Sequence, residues 1–288
     1  MKRFRRIALL VVLIAIAAGL SLRLMRAPEP EYQGRGLSSW LVEFDDWEEG
    51  NTNSPVVVAI RAMGAKAVPI LVEVCLTQDS TFKQKISVEF EKRPGFMKYR
   101  FTTAPERWLR AEHAFGVLGP EARGAFPTFL AALTNDAVFT RSAAVSGLGA
   151  IGPAAEECLP ALIALQNDPK VHRNLIHTLG KIGRRPDLCV PLLMKGLEDA
   201  DAIIRNLSIQ ALGGFGRDAR VAVPALIDFL SDKSKTTVRL AAETLGKIGP
   251  DAATALPALE RTLEKEATSK WISRATTEAL ERIKSGEK

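Results

Sequence analysis

Five glycines, at positions 119, 152, 183, 216 and 249, recur at spacings of 33, 31, 33 and 33 residues. No other feature limits the fold of this 288-residue chain so tightly. Each glycine closes a similar signature: Phe115 to Pro120, Leu148 to Pro153, Leu179 to Gly183, Leu212 to Gly216 and Leu245 to Pro250. A proline follows each glycine, at 127, 160, 191, 224 and 257, and opens an apolar helical stretch. An acidic turn ends most units, at Asp136, Asp168, Asp199 and Asp232. A fixed period in this range is the mark of a stacked repeat.

The physics of one unit is legible. Residues 140–151 place Ala144, Leu148 and Ile151 at helical spacing. Gly152 ends the helix, because glycine accepts a positive φ cheaply, and Pro153 prevents continuation. A second helix is expected over about 154–166, started or kinked by Pro160. Two helices of this length cannot bury their apolar stripes alone, so the units must stack.

The repeat resembles the HEAT family, and more specifically the short bacterial HEAT-like repeats of phycobilin lyases. The resemblance runs from Pro105 to Lys284. It implies an all-α fold, a right-handed alpha-alpha superhelix of about six helix pairs. It is specific for fold and nearly silent on function. It also implies a structural arginine ladder near the start of each first helix: Arg141, Arg173, Arg205, Arg239 and Arg274. In such repeats this arginine braces the preceding acidic turn. The last copy, Leu280 to Lys284, replaces both glycines with charged residues, as a polar terminal cap does.

The ends depart from the period. Residues 1–26 form an N-terminal transmembrane anchor or a signal peptide: a basic cluster at Met1 to Arg6, then an apolar run from Ile7 to Leu22. The heavier positive charge before the run places the body outside the cytoplasm, on the periplasmic side if anchored and secreted or periplasmic if cleaved. Residues 27–53 read as a linker and a capping helix, with Trp40, Leu41, Phe44 and Trp47 roughly on one face. This segment resembles the one that precedes HEAT repeats in exported bacterial proteins. Residues 54–78 read as a degenerate first repeat. Residues 79–104 are an insertion, with the basic-aromatic run Phe96 to Phe101 inside it and a Thr103–Glu106 capping box at its end. Residues 105–284 are the array.

Composition removes several functions. Of 39 Lys and Arg residues, six lie in the first 26 positions, where there is no Asp or Glu, so the remainder balances the 33 acidic residues. A neutral body gives no sign of a nucleic-acid surface. The three histidines and three cysteines match no metal or redox signature, and no phosphate loop is present. The expectation is therefore a chain that is not an enzyme and uses no metal or cofactor. It would be a monomeric, membrane-tethered scaffold that binds a protein or peptide. The alternative is a lyase-like or hydrolytic enzyme working in the concave groove, which requires a histidine or carboxylate of shifted pKa there. With the second helices taken to line that groove, the partner-binding candidates are Leu165, Lys195, Asp228, Phe229 and Arg261. Phe96 and Tyr99 of the insertion join them.

Overall fold

The computed structural model describes residues 28–48, 50–81, 84 and 102–286. The apolar run 7–22 and the insertion residues Phe96 and Tyr99 lie outside the described residues. The described chain is an all-α solenoid, with one two-stranded hairpin at its start.

That hairpin pairs β1 (Glu31–Tyr32) with β2 (Arg35–Gly36), and α1 (Leu37–Leu41) follows directly. A 3-10 turn, Val42–Asp46, continues α1. Leu37, Trp40, Leu41 and Phe44 are buried, so the lead-in seals the first repeat as their spacing predicts. Before the hairpin, Glu29 accepts hydrogen bonds from the backbone N–H and hydroxyl of Ser38.

The first pair is α2 (Pro55–Met63) and α3 (Val68–Leu76). Together, residues 55–76 are long and apolar enough to cross a membrane, with a mean hydropathy of 1.7. Burial inside the solenoid explains that hydropathy. Gly64, at φ 54°, breaks the stretch into two helices, and Val56, Ile60, Leu71 and Cys75 enter the core.

Six long helices follow: α4 (Ala104–Leu118), α6 (Val138–Ile151), α8 (His172–Ile182), α10 (Ala202–Gly213), α12 (Lys235–Ile248) and α14 (Lys270–Ser285). Between them lie α5 (Phe126–Ala132), α7 (Leu159–Ile163), α9 (Pro186–Leu197), α11 (Val223–Phe229) and α13 (Leu256–Lys265). Thr103 and Glu106 form the expected capping box of α4. Asp79 accepts from the Ala104 N–H at 2.5 Å and pairs with Arg107 at 2.9 Å, so the two ends of the insertion meet.

All five periodic glycines take positive φ, between 50° and 74°. After four of them the chain does not stop and restart as expected. It runs through a seven-residue 3-10 turn, such as Gly152–Cys158, before the proline-led helix begins. The exception follows Gly183. There Pro186 stands where the other units have a buried alanine, and it bars its predecessor from the helical region. Arg185 accordingly adopts φ 52°, and α9 starts at once.

One continuous apolar core runs from Leu37 to Ile283. Its tightest seam joins successive long helices. A Cβ on Gly180 would lie 2.6 Å from Cα of Ala211, and one on Gly246 would lie 2.8 Å from Cα of Ala279. Buried threonines tie the same seam: Thr178 donates to the Val145 carbonyl at 3.0 Å and Thr244 to the Ile209 carbonyl at 2.9 Å. The proline-led helices instead meet their neighbours through the 3-10 turns. Helices that approach backbone to backbone lie on the inside of a curved stack. The layer of closest approach, formed by the long helices, is taken as the inner face.

Candidate functional site

The expected partner-binding residues of the array sit on or just after the proline-led helices, the layer that does not carry the glycine seam. Lys195 on α9, Asp228 on α11 and Arg261 on α13 are exposed on the outer layer. Leu165, just after α7, and Phe229 on α11 are half-buried against the core. Arg261 donates Nε to the Pro257 carbonyl of its own helix at 3.3 Å. The structure does not bring these residues together on one inner surface. The glycine seam lets the long helices approach most closely at Gly180–Ala211 and Gly246–Ala279.

The five ladder arginines do not act alike. Arg141 donates Nη1 to the carbonyls of Asn135 (2.8 Å) and Asp136 (2.9 Å), in the turn that precedes α6. Arg205 does the same at Asp199 (2.8 Å) and Ala200 (2.9 Å). Both thus satisfy carbonyls of the turn between two helices, which have no partner in a helix ladder. Arg141 also pairs with Asp168 at 2.9 Å, and Arg173 pairs with Asp201 at 2.5 Å, each in the following turn. The carboxyl of Asp168 is held below its ordinary pKa, first by the Lys170 N–H and then by Arg141. That of Asp201 is held down chiefly by Arg173. Arg239 and Arg274 turn along their own helices, to Glu243 at 2.5 Å and Glu278 at 2.7 Å.

The inner face has its own polar cluster. Lys181 Nζ on α8 meets Glu112 Oε1 on α4 at 2.5 Å, although α6 lies between those two helices. The bridge is possible because the crest of α6 is small there: Ser146, Gly149 and Ala150. Asn174 donates to the Ser146 hydroxyl at 2.8 Å, extending the cluster toward the start of α8. His177 stands one helical turn before Lys181. Partial desolvation pushes its imidazole below the ordinary pKa; the Lys181 charge adds to this, while Glu112 pulls the other way. Near neutral pH such an imidazole carries a free lone pair. His113, one residue after Glu112, packs between Phe44 (5.6 Å) and Trp47 (5.2 Å), and so belongs to the lead-in seal.

No local motif marks Glu112, His177 and Lys181, which come from two helices separated by a third. A signal was present. Three residues before the first glycine of each signature stand His113, Ser146, His177, Gln210 and Glu243, and a row of polar residues at one helical position marks a solvent face.

Among the described residues, no group of three His, Cys, Asp or Glu side chains could hold a metal ion. The three cysteines are unbridged and buried. Burial pushes the Cys75 thiol up to about 12 and those of Cys158 and Cys189 up to about 11. None is a poised nucleophile.

Residues 190–281 match the family model for HEAT repeats, and residues 140–168 match the one for the PBS lyase HEAT-like repeat. The chain carries HEAT-like repeats. Solved structures of similar fold include an engineered protein with 20% identity and a TM-score of 0.47, covering 76% of this chain and 97% of that one. Another is the complex of CpcE and CpcF of phycocyanin lyase from Nostoc sp., with 19% identity, a TM-score of 0.43 and coverage of 90% and 98%. Human deoxyhypusine hydroxylase in complex with glycerol is a third, with 18% identity, a TM-score of 0.30 and coverage of 82% and 100%. No curated protein matches the chain.

The expectation of a non-enzyme is corrected. The finding that overturns it is the match of residues 140–168 to a repeat named for a lyase. The exclusion rested on missing local signatures. A solenoid gathers polar groups from separate helices, where no local signature forms.

Proposed function

We propose that the inner face of the long helices is the working surface, and that it receives a protein partner, or a group carried by one, for a lyase-like reaction at the Glu112–His177–Lys181 cluster. The observation that carries this reading is the Lys181–Glu112 bridge over α6, with the His177 imidazole, its pKa lowered, one helical turn before Lys181. A neutral His177 can take a proton as general base. The Lys181 ammonium, held by Glu112, can stabilise negative charge that develops next to it. The lyase-type repeat match supports the reading, because residues 140–168 include the part of α6 that lies beneath the bridge.

The test uses cells with the wild-type chain, with His177→Asn, and without the chain. Small molecules and modified proteins are compared across the three. The reading expects the His177→Asn strain to accumulate the same unconverted species as the strain without the chain, while the variant protein keeps its melting temperature. A His177→Asn profile identical to wild type overturns it.

A tethered scaffold is the second reading, favoured by the apolar run 7–22 between basic flanks. Here residues 1–26 hold a monomeric body outside the cytoplasm, on the periplasmic side of a bacterial envelope, and the inner face retains a protein or peptide. A reporter fused to the C-terminus tests this. Activity restricted to the cytoplasm contradicts the outward topology.

A further inference from the structure

We propose that the C-terminal half of the inner face is a cradle for an acidic segment of a partner protein, with Trp271 as the apolar anchor. The proposal rests on the inner face being the working surface, and it adds the chemistry of what docks there. On α12 the solvent face narrows to Lys235, Thr236, Arg239, Glu243 and Lys247; the rest of the helix is buried. The equivalent stripe on α14 is Trp271, Arg274, Glu278 and Arg282. Arg239 and Arg274 are neutralised by Glu243 and Glu278. Lys247 and Arg282 have no ion-pair partner among the described residues. Both face an open groove of about 790 Å³ formed with Gly213, Gly246 and the Arg217–Asp251 pair.

Helix dipoles account for part of this pattern only. Cations near the C-terminal ends of α12 and α14 complement the dipole, but Arg239 and Arg274 sit near the N-terminal ends, where the dipole disfavours them. Trp271 is 71% exposed, a large apolar surface with no cover on a helix whose other apolar residues are buried. Exposed tryptophan beside cations is the composition of a binding hot spot. Trp271 and Arg282 are eleven residues apart on α14, roughly 16 Å at helical rise. An extended chain spans that distance in about five residues. The occupant that fits is a segment with an apolar side chain on Trp271 and carboxylates about five residues further on, at Arg282 and Lys247.

The probe is a fluorescein-labelled peptide with one leucine, a glycine-serine spacer of about four residues to match that span, and a glutamate tail. A glutamine-tailed peptide and oligodeoxythymidine are the comparisons. Fluorescence anisotropy is read on the full chain at about 50 mM and about 300 mM salt, either side of physiological screening. The glutamate peptide is expected to bind best, more weakly at high salt. Lys247→Glu with Arg282→Glu should weaken it by about tenfold or more, and Trp271→Ala by several-fold. Lys247→Gln with Arg282→Gln, a milder pair if the reversal unfolds the protein, should show the same order of peptides with smaller effects. Lys195→Glu on the outer layer should leave binding unchanged. Equal binding of the glutamate and glutamine peptides overturns the proposal, as does an equal loss from Lys195→Glu. Tighter binding of oligodeoxythymidine overturns the assignment to a protein segment. His177→Asn should not alter peptide binding, so failure of the cradle and failure of the reaction centre are read separately.

Discussion

Lys181 and Glu112 are 69 positions apart in sequence, yet their side chains meet at 2.5 Å over the crest of an intervening helix. Two long side chains on alternate long helices meet here because the residues between them, Ser146, Gly149 and Ala150, are small. The pair therefore marks a face on which the long helices present polar groups from separate repeats.

Removing either partner should move His177 in opposite directions. Lys181→Met deletes a charge that lowers the imidazole pKa, so the pKa rises. Glu112→Gln deletes a charge that raises it, so the pKa falls further. Histidine NMR titration of the two variants checks both signs. Each change should cost about 1 kcal/mol of stability or less, as for a partly exposed ion pair.

Acid should act in two stages. A folded-state pKa below the unfolded one means that the folded protein binds its proton less readily. For His177 the stabilisation is complete above the unfolded value of about 6.5 and is lost as pH falls through the lower folded value. For Asp168 and Asp201 it is complete above the ordinary carboxylate range and lost as pH falls below it. Denaturation midpoints followed from pH 8 down to about 3 should show both declines, and His177→Asn should remove the upper one only.

The glycine seam should not tolerate a methyl group. Gly180→Ala would put its Cβ 2.6 Å from Cα of Ala211, which is backbone and cannot rotate away. The expected loss is about 1–3 kcal/mol, as for other overpacked cores. Gly124→Ala, whose nearest contact would be 3.8 Å away at Val68, should be near neutral. Chemical denaturation of the two variants gives the comparison.

Two buried hydroxyls, of Ser208 and Thr276, have no hydrogen-bond partner among the described residues. A buried polar group without a partner costs desolvation energy with no return. Ser208→Ala should therefore leave stability unchanged or raise it by about 1 kcal/mol, read as a shift in denaturation midpoint.

Much of the solenoid was legible because its signals are local. Gly152 and its equivalents had to take positive φ, and Thr103 with Glu106 had to cap a helix; both follow from neighbours a few residues apart. Which helix layer faces inward is decided by something else. It depends on the clearance between Gly180 and Ala211 and between Gly246 and Ala279, contacts between repeats that look alike one at a time. The outer placement of Lys195 and Asp228 follows from that seam, and so does the inner placement of Gln210. The Lys181–Glu112 bridge was beyond any motif, since its partners belong to different units and the small residues that permit it belong to a third.

The most direct test of the inner-face account places a photo-crosslinking residue at Gln210, exposed on α10, and separately at Lys195, exposed on α9, in the full chain in its own cells. The account expects one dominant partner captured from Gln210, lost when Lys247 and Arg282 are both changed to Glu, and none from Lys195. Capture from Lys195 with silence at Gln210 would move the working surface to the outer layer and contradict the account.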